Sequence, residues 1–307
     1  MPRIYVIGAL VYDIVFDVPD WVEPNRAVHA TEVTLSPGGK ALNQAVAARR
    51  LGADDVRLIG CVGDDIFGAE LLCALRCHGV NTDCIRRHPA AQTSIAGIIV
   101  KDNLPGFIGA PDASRRVDRC QIEASLADLR PGDILLVDFE VQQPLVQFAL
   151  ELGRAEGAIN VLNPAPFFTR DAFVIEYLSL VDVLIPNMLE AQLILDSDSE
   201  DINALAADLL ALGIRQVVLT LGEAGSNLFE DGRRIAQKAY LLDAVDTTGA
   251  SDAFVGAYCH GLAQGWSVER ILQFASATAG LACTKRGTMT SLPRLTEVEA
   301  LLAKEGC

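Results

Sequence analysis

The sequence predicts an α/β fold, a three-layer sandwich around a central, mostly parallel, twisted sheet. Apolar runs typical of buried strands alternate with stretches of helical periodicity along almost the whole chain. Strands that are continuously apolar and separated by helices are typical of a parallel sheet covered on both faces. The chain has 307 residues, of which 50% are hydrophobic and 21% charged, which suffices for one large domain with a full core and excludes a disordered chain. We expect residues 1–307 to form a single domain.

The elements of this domain follow from local patterns, in chain order. Short runs of apolar and β-branched residues predict main-sheet strands at residues 4–7, 56–61, 134–139, 159–162, 181–185 and 216–221. Apolar residues that recur every three or four positions predict helices at residues 40–51, 66–78, 142–156, 188–195, 202–212, 253–264, 268–283 and 296–304.

Two segments depart from this alternation and predict a small β-sheet that stands off the main one. Residues 11–18 alternate in polarity and end at Pro19, and residues 93–100, a turn at 102–106 and Phe107-Ile108 predict a hairpin. We expect this sheet, formed by insertions at about 11–35 and 93–112, to be a lid over a cleft. A sheet of so few strands is marginal alone, so we expect it to pair with a second copy in a homodimer.

The composition excludes several classes of function. A net charge of −15 argues against nucleic-acid binding and against an anionic lipid surface. No apolar stretch reaches the roughly 18 residues of a membrane-spanning helix, and the first residues are typical of a strand rather than a secretory signal. Eight cysteines without a CxxC pair and four histidines without zinc spacing suggest neither a disulfide framework nor a Cys/His metal cage. We expect a cytoplasmic protein.

Polar residues recur where predicted strands end. Asp13 lies just beyond the first strand, and Glu140, Asn163, Asn187 and Gly222 each end or follow a later strand. Ligands of an open parallel sheet bind beyond the carboxyl ends of its strands. A single such residue is more simply a turn former, but five at one sheet edge would line a polar cleft.

The segment Asp246-Thr-Thr-Gly-Ala-Ser-Asp252 precedes a predicted helix that begins near Asp252. The small residues Gly249, Ala250 and Ser251 allow close backbone approach, and first-turn amides favour negative charge. Such an anion hole beside a carboxylate suits phosphoryl transfer to a hydroxyl group. An ordinary helix cap explains the same residues equally well.

Two further helix starts carry polar residues on one face. One is Pro37-Gly38-Gly39-Lys40-Ala41-Leu42-Asn43, in which Lys40 and Asn43 are three residues apart and could bind a polar ligand. A turn followed by an exposed lysine is the simpler interpretation. This is not a phosphate-binding P-loop, because position 34 is Thr and position 41 is Ala. Asn187 and Glu190 also share a face, where a carboxylate could position magnesium-bound water, although a capping interaction is favoured on these residues alone.

At these residues the sequence resembles the ribokinase-like (PfkB) sugar kinase family over nearly its whole length. The motifs that carry the resemblance occur in family order: Gly38-Gly39-Lys40-x-x-Asn43-Gln44-Ala45, Gly60-Cys-Val-Gly-Asp-Asp65, Asn187-x-x-Glu190, Thr220-Leu-Gly-x-x-Gly225, Asp246-Thr-Thr-Gly-Ala-x-Asp252, Lys285-Arg-Gly287 and Ser291-x-Pro293. The resemblance implies a nine-stranded α/β sandwich with a β-lid, ATP as phosphoryl donor, Mg²⁺ as cofactor and a sugar-type hydroxyl as acceptor.

The resemblance also implies roles for individual residues. Asp252 would be the general base, beside an anion hole formed by the amides of Gly249, Ala250, Ser251 and Asp252. Sugar binding is implied for Asp13, Gly39, Lys40, Asn43 and Glu140. The nucleotide, with its magnesium held through Glu190, would contact Asn187, Glu190, Thr220, Gly222, Gly225 and Ser276. A monovalent cation, K⁺ in type, would lie behind the anion hole against Asp246, Thr248, Ala282, Lys285, Gly287 and Ser291.

The sequence departs from the family pattern at three places. Ser251 stands where the family usually has Gly, which would strain the backbone if the position requires a positive φ. Ala41 replaces a Gly common in ribokinases, and the lid segment 107–112 differs from their pattern. These departures place the rate and the identity of the sugar in question.

The leading hypothesis is a kinase for a pentose such as D-ribose, which Lys40 favours. A nucleoside kinase is an alternative, since Phe16, Phe107 and Ile108 could contact a base. A fructose-type or 2-keto-3-deoxygluconate kinase is another, although the lid lacks the Tyr-Arg pair expected for the latter. The alternative outside enzymes is a sensor that binds a sugar or nucleotide without turnover, a hypothesis that Ser251 keeps open and Asp252 opposes.

Overall fold

The computed structural model describes residues 1–102, 104–166 and 176–304. Its strands are β1 (Ile4–Ile7), β2 (Val11–Asp17), β3 (Glu32–Gly38), β4 (Val56–Gly63), β5 (Ile85–His88), β6 (Ser94–Lys101), β7 (Leu104–Ala110), β8 (Ile134–Asp138), β9 (Ile159–Asn163), β10 (Val183–Leu184), β11 (Gln216–Thr220), β12 (Ser226–Glu230) and β13 (Arg233–Gln237). Its helices are α1 (Lys40–Arg50), α2 (Ile66–Cys77), α3 (Arg119–Leu126), α4 (Gln143–Glu156), α5 (Met188–Leu195), α6 (Ile202–Ala211), α7 (Ala250–Ala263), α8 (Val268–Ala282) and α9 (Leu295–Lys304).

The strands form two sheets. The main sheet has nine strands in the order β13-β12-β11-β10-β9-β8-β1-β4-β5, and only the pairings of β12 with its neighbours are antiparallel among the described strands. The second sheet has four strands in the order β3-β2-β6-β7, with β2 and β6 parallel. The predicted fold class, a mostly parallel sandwich with a small separate β-sheet, is therefore confirmed.

The strands bury both faces, so alternate residues pack into different helical layers. Ile4 and Val6 of β1 pack with residues of α1, α2, α7, α8 and α9, whereas Tyr5 and Ile7 pack with α3, α4, α5 and α6. This alternation produces the three layers that the apolar runs predict.

The same alternation decides which way the polar strand ends face. Asp138 and Asn163 are the last residues of β8 and β9 and are register partners in adjacent parallel strands. Leu136 and Val161, two residues earlier on each strand, pack in the layer that contains α1 and α7. Asp138 and Asn163 therefore face that layer as well, beneath the helices that carry the Gly-Gly-Lys and Gly-Ala-Ser-Asp motifs.

Several predicted boundaries and elements were wrong. Helix α7 begins at Ala250 rather than at residue 253, because the amide of Ala250 already bonds to the carbonyl of Thr247 and Gly249 is the N-cap. The hairpin turn predicted at 102–106 is shorter, because Leu104 already pairs with Lys101 in the ladder. The sequence prediction also missed β3, β5, β12, β13 and α3.

Across the described ranges, no helix combines the length and the apolar character that crossing a membrane requires.

Candidate active site

The Gly38-Gly39 pair joins the small sheet to helix α1 at the carboxyl edge of the main sheet. Gly38 lies against the carboxylate of Asp13, so closely that a Cβ atom at position 38 would come within 2.0 Å of an Asp13 oxygen. Gly39 has a φ of 95°, which a residue with a side chain rarely adopts. The two glycines thus allow Asp13 to be buried against the chain just before Lys40 begins the helix.

The first turns of α1 carry three polar contacts. The amide of Lys40 donates to Glu140 Oε2 at 2.9 Å. Further along the helix, Asn43 Nδ2 donates to Asp252 Oδ2 at 3.0 Å and Gln44 Nε2 donates to Asp252 Oδ1 at 3.1 Å. Helix α1 therefore links the end of β8 to the start of α7.

Asp252 is the third residue of α7 and is only 3% exposed. Its carboxylate does not cap the helix, since it accepts hydrogen bonds from α1 instead, and Lys40 Nζ lies 3.7 Å from its Oδ1. The interpretation of Asp252 as an ordinary cap is therefore wrong. Side-chain amides of α1 thus hold the carboxylate in place, and the carboxylate lies at the N-terminus of α7.

The backbone around Asp252 suits an anion. Gly249, Ala250, Ser251 and Asp252 form the N-cap and first turn of α7, where helical geometry leaves amides without helical partners. Ser251 is exposed and has helical rather than left-handed backbone, so its replacement of glycine introduces no strain at this position. The strain that we considered for Ser251 does not arise.

Several carboxyl groups share this buried site, and burial raises the pKa values of some of them. Burial raises the pKa of Asp13 to about 7, and the nearby carboxylate of Asp252 adds to the rise. Burial also raises the pKa of Glu140, against the opposing effect of Lys40. Burial acts to lower the pKa of Lys40, but the carboxylates of Asp252 and Glu140 outweigh it and raise that pKa instead.

Sequence reasoning missed the role of three buried residues at this site. Asp138 Oδ1 accepts the amide of Glu140 at 2.9 Å, while its Oδ2 is buried and has no hydrogen-bond partner among the described residues. Burial, reinforced by the Glu140 carboxylate, raises the pKa of Asp138 well above its usual value. Gln44 was noted only as part of a motif, and Asn163 only as one of several polar strand ends. A charged residue inside the apolar run 134–139 was the one local signal for Asp138.

Asn187 and Glu190 lie at the start of α5 and form a reciprocal capping box. The amide of Asn187 donates to Glu190 Oε2 and the amide of Glu190 donates to Asn187 Oδ1, both at 2.8 Å. The capping interpretation of this pair is therefore correct. The Glu190 carboxylate also lies near enough to Lys40 and Asp252 to interact electrostatically with both, although burial is the main cause of its raised pKa.

The predicted nucleotide residues at the end of β11 lie beside α5. Thr220 forms a bridge with Asn187, and its hydroxyl donates to the carbonyl of Pro186 at 3.3 Å. Gly222 begins a single helical turn, and Gly225 follows that turn just before β12. Ser276 lies on α8, where its hydroxyl donates to the carbonyl of Lys238 and so ties that helix to the segment after β13.

The residues predicted to hold a monovalent cation come from two segments that are joined by Asp246. Asp246 Oδ1 accepts the amide and hydroxyl of Thr248, and Oδ2 accepts the amide of Gly287 at 2.9 Å. Ser291 is fully buried and lies against Gly249. The carbonyl of Ala282 accepts the amide of Lys285, and the ammonium of Lys285 pairs with Glu297 on α9.

Hydrogen bonds and an ion pair thus connect the predicted base and most of the predicted sugar residues into one network. Lys40, Asn43 and Glu140 belong to that network with Asp252, and Asp13 lies close enough to interact with it electrostatically. Gly39 contributes the turn that precedes it. No described hydrogen bond or ion pair links Gly222, Gly225 or Ser276 to the same network.

The chain is similar to known carbohydrate kinases. The family model described as pfkB family carbohydrate kinase matches residues 1–295. A ribokinase of Schizosaccharomyces pombe is 32% identical over 97% of each chain, and a deoxyribokinase of Salmonella typhi is 29% identical over 98% of each. The solved structure of Arabidopsis thaliana ribokinase with ribose and ATP has a TM-score of 0.89 at 26% identity, and covers 98% of each chain.

Proposed function

The chain belongs to the pfkB family of carbohydrate kinases, and from this premise we propose that it transfers the γ-phosphoryl group of ATP to a hydroxyl group of D-ribose. The observation that carries the proposal is the buried carboxylate of Asp252, fixed by Asn43 and Gln44 in the first turn of α7. Ribokinase relatives and a ribokinase bound to ribose and ATP support the choice of substrates.

The proposed reaction needs few groups from the protein. The carboxylate of Asp252 accepts the proton of the sugar hydroxyl as that oxygen forms a bond to the γ-phosphorus. The bond from this phosphorus to the bridging oxygen breaks at the same time, and ADP leaves with the electron pair. The amides of Gly249, Ser251 and Asp252 stabilise the charge on the transferred group, whereas the amide of Ala250 already donates to the carbonyl of Thr247. Most of the catalytic effect is thus positioning and electrostatic stabilisation.

The sugar is proposed to lie between the small sheet and α1. Asn43 Oδ1 is buried and has no hydrogen-bond partner within the described residues, so it is an acceptor that a sugar hydroxyl would satisfy. Asp13, Glu140 and Lys40 supply further acceptors and donors, and Gly39 supplies a close backbone approach. Since Asn43 also contacts Asp252, it would place the reacting hydroxyl beside the base.

The nucleotide is proposed to lie across Asn187, Thr220, Gly222 and Gly225, with Ser276 beside it. Glu190 fits the role of holding Mg²⁺ through water, because its carboxylate is an oxygen ligand that faces the same site as Lys40 and Asp252. When bound, Mg²⁺ neutralises charge on the phosphates.

The segment behind the anion hole fits a monovalent cation such as K⁺. The groups that would hold the cation are all oxygen ligands: the carboxylate of Asp246, the hydroxyls of Thr248 and Ser291, and the backbone carbonyls of Ala282 and Gly287. Because the ammonium of Lys285 is paired with Glu297, Lys285 would add only its carbonyl. We propose that the cation fixes the loop on which the anion hole depends.

We also propose that the enzyme is a cytoplasmic homodimer. Val33, Leu35, Leu104, Phe107 and Ile108 of the small sheet are all at least 48% exposed. A second copy that covers this apolar surface would remove it from water. The small sheet, whose β3 extends to Gly38 beyond the insertion expected at about 11–35, would then act as both lid and dimer contact of a single domain.

A substrate panel tests the proposed function. We expect ADP release with Mg²⁺ and ATP to be fastest with D-ribose, and to increase when K⁺ is added. The panel includes 2-deoxy-D-ribose, because a deoxyribokinase is among the relatives, and also D-fructose, 2-keto-3-deoxygluconate and adenosine. Preference for another acceptor would reassign the substrate, and ligand binding without any turnover would favour the sensor hypothesis.

A further inference from the structure

A buried row of side-chain amides connects the central sheet to Asp252. Gln44 is fully buried, and its Nε2 donates both to Asp252 Oδ1 at 3.1 Å and to Asn163 Oδ1 at 3.0 Å. A carboxamide nitrogen has two protons, so these two acceptors use both of them. The opposite orientation would place the Gln44 oxygen against two other oxygens. The orientation of Gln44 is therefore determined by its neighbours.

Asn163 is itself fixed by the sheet. It is the last residue of β9, is 4% exposed, and its Nδ2 donates to the carbonyl of Ile185 at 2.9 Å. This contact directs the Asn163 oxygen toward Gln44. The orientation of the Asp252 carboxylate thus follows, through Gln44 and Asn163, from the backbone just after β10.

The arrangement leaves one polar atom unsatisfied. Gln44 Oε1 is buried and has no hydrogen-bond partner in the part of the chain that the structure describes. A buried acceptor of this kind costs about 1–3 kcal/mol. The two hydrogen bonds that Nε2 donates, to Asp252 and Asn163, offset this cost and are what the amide group contributes at this position.

We propose that Gln44 and Asn163 are positioning residues that hold the carboxylate of Asp252 in the orientation from which it accepts the substrate proton. The proposal rests on the proposed kinase function. Neither residue touches the reacting atoms, and both act through Asp252. Lys40 and Asn43 also contact Asp252, but Lys40 is partly exposed and Asn43 holds the other carboxylate oxygen.

The test replaces Gln44 by methionine, which has a similar shape and no amide group. We expect kcat with D-ribose and ATP to fall about ten- to a hundredfold, with both KM values within about threefold of wild type. Loss of an N–H donor to a carboxylate disfavours the charged form, so the acidic limb of the kcat profile should move to higher pH. The titratable groups that interact electrostatically with Asp252, in wild type and variant alike, are Asp13, Lys40, Asp138, Glu140 and Glu190.

Gln121→Met is the matched control. Gln121 lies on α3, in the opposite layer, and its Nε2 also donates to two acceptors, the carbonyls of Gly60 and Cys84. Its Oε1 is likewise buried without a hydrogen-bond partner among the described residues. We expect this variant to melt at a lower temperature while kcat and its pH profile stay unchanged.

The outcomes separate the two proposals. If Gln44→Met only lowers the melting temperature, as Gln121→Met does, Gln44 is structural and the inference is overturned. If Gln44→Met does not fold, Asn163→Ser decides by the same kcat and pH criteria. If the wild-type enzyme turns over none of the acceptors in the panel, the proposed function fails and the inference fails with it.

Discussion

At the scale of single residues, the site concentrates acids around few cations. Asp13, Asp138, Glu140 and Asp252 interact with one another, and Lys40 is the cation that contacts Asp252. Ionising several carboxyl groups that are buried close together costs free energy, because the like charges repel one another. Burial, reinforced by neighbouring carboxylates, raises the pKa values of Asp13, Asp138 and Glu140.

Asp13 makes the stability of the ligand-free protein depend on pH. The folded state binds a proton at Asp13 up to about pH 7, and the unfolded chain releases it near pH 4. The free energy of unfolding therefore falls as pH rises between these values, by up to about 4 kcal/mol from this group.

The Asp13→Asn variant removes that dependence. We expect it to be more stable than wild type at pH 8, where the buried carboxylate is charged, and the difference to shrink toward pH 5. Urea unfolding of wild type and variant between pH 5 and pH 8 measures this difference in the free energy of unfolding. A difference that is constant with pH would show that Asp13 does not hold a raised pKa.

Some site residues were predictable from local sequence and others were not. Asp252, Lys40, Asn43 and Glu140 lie in short motifs or at strand ends, where local patterns point to them. The contact between Gln44 and Asn163 joins residues 119 apart in the chain, and only the packing of α1 on β9 brings them together. No local pattern predicts such a pair.

At the scale of elements, the junction of β3 and α1 determines where Asp13 and Lys40 lie. Strand β3, which the sequence analysis missed, pairs with β2 in an antiparallel ladder, in which Val11 is opposite Gly38 and Asp13 is opposite Ser36. This pairing places Asp13 beside the start of α1. Pro37 and several polar residues obscured this strand in the sequence, since an edge strand tolerates both. Charged residues obscured β5 and β13, which are the edge strands of the main sheet, in the same way.

The Gly38→Ala variant tests this junction. The new methyl group would lie 2.0 Å from an Asp13 oxygen, so the carboxylate must move. We expect KM for the sugar to rise about tenfold or more, with a smaller change in kcat, because overpacking of this kind typically costs about 1–3 kcal/mol.

Gly109→Ala is the control for that variant. Gly109 is in the same small sheet, and a Cβ atom there would meet nothing within 4 Å. Steady-state kinetics of both variants give KM for the sugar, which we expect to stay at the wild-type value in Gly109→Ala. Equal KM values in Gly38→Ala and wild type would contradict the placement of Asp13 in the sugar site.

At the scale of the whole molecule, the fold class and most helices were predictable because strands buried on both faces leave continuous apolar runs, and the helices between them leave a helical periodicity. Helix α5 has the predicted bounds, and the start of α7 differs by three residues. The small sheet was predicted from β2 and the β6–β7 hairpin alone. Its exposed apolar residues give the molecule a surface that a single chain leaves in contact with water.

Sedimentation equilibrium at micromolar concentration tests the proposed dimer. We expect the mass of two chains for wild type and of one chain for Phe107→Asp, because a charge on the small sheet would oppose pairing. Leu241→Asp is the control, since Leu241 is 73% exposed but lies outside that sheet, and it should remain dimeric. A wild-type mass of one chain would refute the dimer.

The central claim, that Asp252 takes the proton during phosphoryl transfer to a sugar, is tested most directly by comparing wild type with Asp252→Asn. The measurement is the formation of ADP and phosphosugar from D-ribose and ATP, with the product identified by mass spectrometry. We predict equimolar products from wild type, and a kcat about a thousandfold lower in the variant with the sugar KM within about threefold. Turnover by Asp252→Asn at the wild-type rate would contradict the account.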